Sequence, residues 1–179
     1  MRNLTNRLTV GLAICLVLVF CASAVYAANP ATIDVTVTIQ NLSLTTTGPI
    51  AFGVVLVSTT TVSTSASTVT NDGNTTETYD LKLTNPGGWT ATSGAPGSET
   101  YRLSAQFNVA QPTAVSFDAD HDLTTADQTS SATIFAGDQT GLSVAASAAR
   151  SLWFKFEAPT STTVTTQQSI TVTLTAAAG

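Results

Sequence analysis

Apolar and polar residues take turns along most of this chain, and the period of that alternation is two. Ile33, Val35, Val37 and Ile39 fall on one side and Thr32, Asp34, Thr36 and Thr38 on the other, with Leu42 and Leu44 following after a step at Asn41. Successive side chains of an extended strand point to opposite faces, so residues 33–44 predict a half-buried strand with a hydroxyl-rich outer face. Residues 50–57 are more continuously apolar and predict a buried central strand, with Gly53 marking a bulge or a close backbone approach. The Ser/Thr-rich stretch 58–70 fits an edge strand or a loop equally well. Turn residues 71–74 and 85–88 then bracket a strand carrying Tyr79, Leu81 and Leu83.

Further strands are predicted at 89–92, at 101–109 (Tyr101, Leu103, Ala105, Phe107, Val109), at 113–117, 131–135 and 142–146, at 151–157 (Leu152, Phe154, Phe156), and at 169–175 (Ile170, Val172, Leu174). Residues 145–150 allow one helical turn, and no other stretch has helical periodicity over ten residues. Nine or ten short strands with regular turn signals predict an all-β chain, a single antiparallel β-sandwich of immunoglobulin-like or jelly-roll type.

The first 27 residues break the pattern. Arg2 and Arg7 precede an apolar run from residue 8 to residue 20, and small residues follow in CASAVYAANP. Those are the three parts of an export signal, so residues 1–27 are assigned as a signal peptide and 28–179 as the β-sandwich domain. The small-x-small rule allows cleavage after Ala24 or Ala27, and Asn29-Pro30 favours the second. An uncleaved anchor is the rival reading of residues 10–28, whose second half is diluted by Ser and Ala. Phe20 argues against lipidation at Cys21, where a small residue is wanted.

Both cysteines, Cys15 and Cys21, lie in that segment, so the exported chain holds its core without disulfides. Composition sharpens the picture. Charged residues are 9% of the chain, whereas 35 are Thr and 17 are Ser, so hydroxyls replace charges on the surface. Beyond residue 27 there are four basic residues (Lys82, Arg102, Arg150, Lys155) against eleven acidic ones, a net of 4 − 11 = −7. Nucleic-acid backbones would be repelled.

The order of segments resembles that of pilin-like surface domains, including spore-coat-U-type subunits: an alternating first strand after the signal, the apolar step IAFGVV at 50–55, and the closing QQSITVTLTA at 167–176. The cysteine pair usual in that family is absent. The resemblance implies a secreted or cell-surface subunit that polymerises by strand addition, with residues 33–44 as the donated strand; the alternative is that this strand pairs within its own domain.

Chemistry is sparse. His121 is the only histidine, there is no G-x-S-x-G elbow, and Glu77, Glu99 and Glu157 read as solvated strand charges, so no enzyme is expected. One cluster invites a ligand: Asp118, Asp120 and Asp122 alternate in FDADHDLTTAD, with Asp127 five further on. Three carboxylates on one turn suit calcium, although Leu123 stands where a calcium loop wants Gly; the competing reading is a solvated loop whose aspartates cap turns. Trp89 and Trp153 are candidates for stacking on a glycan or for the core edge, and Asn41 and Asn74 begin N-glycosylation sequons. Two functions follow: a self-assembling fibre, pilus or coat subunit, or a calcium-dependent carbohydrate-binding or adhesion module.

Overall fold

The computed structural model describes residues 31–179. The chain divides into two units, Met1–Thr38 and Ile39–Gly179. Of the first, only residues 31–38 are described, and they are exposed and outside any strand. The expected signal peptide and its cleavage sites lie outside the described residues.

The unit Ile39–Gly179 is built from nine strands in two sheets: β1 (Leu44–Thr46), β2 (Thr60–Val62), β3 (Ser67–Asn71), β4 (Glu77–Thr84), β5 (Thr90–Ala91), β6 (Thr100–Phe107), β7 (Gln128–Thr129), β8 (Ala149–Glu157) and β9 (Thr171–Ala178). The larger sheet runs β1-β3-β8-β6-β5, with β2 pairing on β8 beyond the end of β3; the smaller runs β7-β4-β9. All pairings are antiparallel except β5 on β6. Among the described residues the helical content is two short 3-10 turns, Ala114–Ser116 and Ala119–His121.

The long strands β4, β6 and β8 are ones in which large apolar residues alternate over several positions. Tyr79, Leu81 and Leu83 of β4, Tyr101, Leu103, Ala105 and Phe107 of β6, and Leu152, Phe154 and Phe156 of β8 enter one buried cluster shared by both sheets. Tyr79 of the small sheet meets Phe107 of the large one with ring centroids 6.1 Å apart. Burial raises the Tyr79 and Tyr101 hydroxyls to about 12, because desolvation disfavours the phenolate.

Five expected strands change character. Residues 33–43 lie outside any strand and pairing starts at Leu44. Residues 50–57 are not a buried strand: Gly53 has φ +69°, a left-handed backbone that breaks the alternation, so Ile50, Phe52 and Val55 touch the core while Val54 is 98% exposed. Residues 113–117 contain a 3-10 turn, and Val115 points outward at 92% exposure. Residues 131–135 and 142–146 contribute bends and one isolated bridge, Glu77 to Val144. In the last three of these stretches too few apolar side chains recur at a spacing of two to define a buried face. Residues 145–148 close a turn, Ala148 N–H donating to Ala145 O (3.0 Å), and 149–150 already belong to β8, so no helical turn forms over 145–150. The ambiguous stretch 58–70 resolves into β2 and β3.

Candidate functional site

A run of four exposed apolar side chains coincides with the most regular alternation in the sequence. Ile33, Val35, Val37 and Ile39 are 87, 82, 81 and 79% exposed. Four β-branched side chains spaced two apart prefer an extended, half-buried strand, yet residues 31–40 lie in no strand.

The chain becomes anchored two residues later. Asn41 N–H donates to Asn74 Oδ1 (2.8 Å), Asn74 Nδ2 donates to Ile39 O (2.8 Å), and Asn74 N–H donates to Asn41 O (3.1 Å). Ser43 N–H then donates to Glu77 Oε1 (2.7 Å), a carboxylate with no exposed surface, before β1 begins. The Asn74 nitrogen that a glycan would occupy is thus already engaged.

The small sheet ends in an open edge. β9 pairs with β4 over all eight residues, from Thr84↔Thr171 to Glu77↔Ala178, without a bulge, and among the described residues it has no partner on its other side. Its inward residues Val172 and Leu174 lie opposite Leu83 and Leu81. Leu83 and Leu81 are 1 and 0% exposed, whereas Val172 and Leu174 are only partly buried against the same core. The edge TVTLTAAA carries neither charge nor proline, the devices that usually keep a sheet edge from pairing. Opposite β8, the far side of β6 is occupied: β5 pairs at its start, Leu123 N–H donates to Leu103 O (2.9 Å), and Phe107 N–H donates to Phe135 O (2.9 Å).

The aspartate cluster is used differently. Asp118 caps the turn Ala119–His121: its Oδ1 accepts from Asp120 N–H (3.0 Å) and lies 2.7 Å from His121 Nδ1, which accepts from Asp118 N–H (3.1 Å). Asp120 is exposed. Asp122 is buried and accepts from Ser104 Oγ (2.7 Å). Asp127 pairs with Lys82 at the surface (3.0 Å). Among the described residues no three His, Cys, Asp or Glu side chains gather as a metal site, because alternate residues of this loop point to the core, the cap and solvent.

Beneath that loop lies a polar layer that the strand pattern conceals. Arg102 makes a bidentate pair with Glu157 (2.6 and 2.7 Å from Nη2), Lys155 Nζ sits 2.9 Å from Glu157 and donates to Phe117 O (3.2 Å), and Lys155 is only 5% exposed. Burial alone would raise the Glu157 carboxyl, but hydrogen bonds from Lys155 and Arg102 outweigh it and hold it low. Burial raises Asp122 despite Ser104 and Arg102; its Oδ2 has no hydrogen-bond partner and lies 3.8 Å from Arg102 Nη1. Glu77 and Glu157 are therefore not solvated strand charges. Glu99 accepts from Thr162 Oγ1 (2.7 Å) and Thr163 N–H (2.5 Å), which lowers its pKa and pins the loop before β9.

Both tryptophans serve the fold. Trp153 is 9% exposed and donates to Asn108 O (2.8 Å); Trp89 stacks on Phe156 at 6.0 Å and donates to Thr162 Oγ1 (2.9 Å). His121 is 4% exposed, with Nε2 2.8 Å from Ala136 O, so both ring nitrogens are engaged within the protein. Among the described residues no helix is long and apolar enough to cross a membrane. Compared with protein-family models, curated proteins and solved structures, the chain matches none.

Proposed function

We propose that this is an exported, cell-surface structural protein: a pilin-like β-sandwich subunit of a fibre, pilus or coat that assembles by strand addition. The observation that carries the reading is the exposure of Ile33, Val35, Val37 and Ile39 in a sequence patterned for a half-buried strand. Burying a Val or Ile side chain contributes about 1.5–3 kcal/mol, so these four represent a gross gain of roughly 6–12 kcal/mol. The rigid-body cost of association is of comparable size, about 4–15 kcal/mol, and backbone hydrogen bonds along the added strand supply the remainder. An address outside the cell agrees with the leader-like first 27 residues and with a surface dominated by Thr and Ser.

The test is multi-angle light scattering of the full chain across a hundredfold concentration range, beside a Val35→Asp/Val37→Asp variant. The reading expects wild-type mass to climb with concentration and the variant to stay monomeric with unchanged circular dichroism. A wild-type monomer throughout would sink it.

A further inference from the structure

We infer that the free edge of β9 is the seat for residues 33–39 of a second copy of this chain, an inference that rests on the assembly reading above. Three observations converge on this pairing. Among the described residues β9 is the longest strand with an unpaired side: β4 and β6 are bonded on both sides, β8 lies between β6 and the pair β2 and β3, and the other terminal strands span two or three residues. The core beside it is incompletely covered, since Val172 and Leu174 keep exposed surface while their partners across the ladder keep almost none. The two segments also match in length and chemistry.

Residues 33–39 and 171–178 are both uninterrupted by Pro or Gly and both alternate Thr with apolar residues at their centres. Laid edge to edge, Val35 and Val37 extend the inward row of Val172 and Leu174, and Thr36 joins the outward row of Thr171, Thr173 and Thr175. That outward row is uncharged, so Asp34 meets no like charge. An edge of eight residues without a charge, a proline or a bulge is the template that β-strand addition requires.

Disulfide trapping tests the pairing in the full chain carrying Cys15→Ala and Cys21→Ala, which leaves no other thiol. Chains with Thr36→Cys are mixed with chains carrying Thr171→Cys, Thr173→Cys or Thr175→Cys and oxidised, with Val115→Cys, at a site 92% exposed, as the accessibility control. The expected result is at least tenfold more mixed dimer with one β9 position than with the control. Equal yields, while light scattering still shows assemblies, would overturn the β9 seat and leave the assembly reading standing. Rapid closure within a single dilute chain carrying both Thr36→Cys and Thr173→Cys, without mixed dimer, would overturn the second copy as donor. Absence of any assembly removes the reading and the inference together.

Discussion

Asn41 and Asn74 exchange two hydrogen bonds, Asn41 N–H to Asn74 Oδ1 at 2.8 Å and Asn74 N–H to Asn41 O at 3.1 Å. This clasp joins residues 33 apart in sequence and holds the start of the unit Ile39–Gly179. Asn74→Ala removes both side-chain bonds and leaves Ile39 O and Asn41 N–H to water. Because the site is exposed, the expected loss is about 1 kcal/mol, read as a lower midpoint in urea. Amide exchange at Asn41 should accelerate in the same variant; protection equal to wild type would show that the clasp is not formed.

The alternating aspartates separate by role. Asp118→Ala removes the acceptor for Asp120 N–H and the partner of His121, for an expected cost of about 1 kcal/mol. Asp120→Ala removes an exposed side chain and should stay within about 0.5 kcal/mol. Equal losses in chemical denaturation would contradict the capping role.

The two carboxylates of the polar layer, Asp122 buried and Glu157 partly buried, respond to pH in opposite directions. Glu157 is held low, so its contribution to stability is present above the usual carboxylate range and is lost as pH falls through its folded value. Asp122 is raised, so the folded state holds its proton more firmly, and that advantage is lost as pH climbs through its folded value. Glu157→Gln strips Arg102 and Lys155 of their shared anion and is expected to cost about 3 kcal/mol near neutrality, less in acid. Asp122→Asn is expected to cost under about 1 kcal/mol, and its stability relative to wild type should improve as pH rises. Urea midpoints of both variants from acid to neutral pH decide this; parallel profiles would refute the assignment.

Legibility in the sequence followed the size and number of the alternating apolar side chains. Tyr79 to Leu83, Tyr101 to Phe107 and Leu152 to Phe156 announced their strands because each places several large residues on one face, and these form the core. Residues 33–39 carry the same signal and form no strand in the folded chain, since periodicity reports which face wants burial and not which edge provides it. The polar layer was hidden for a related reason. Arg102, Ser104, Lys155 and Glu157 occupy the alternate positions of β6 and β8, which read as solvent-facing, but the loop carrying Phe117, His121 and Asp122 covers that face. The aspartates of that loop were visible as a cluster; that the chain would turn them to three different environments was not, because spacing of two on a 3-10 turn does not define a common face.

The central claim is that residues 33–39 drive ordered assembly. Negative-stain electron microscopy of the full chain at rising concentration, beside Val35→Asp/Val37→Asp, tests it most directly. The account predicts regular filaments or sheets of repeating subunits for the wild type and dispersed single particles for the variant. Single particles in both, or filaments that persist undiminished in the variant, would contradict it.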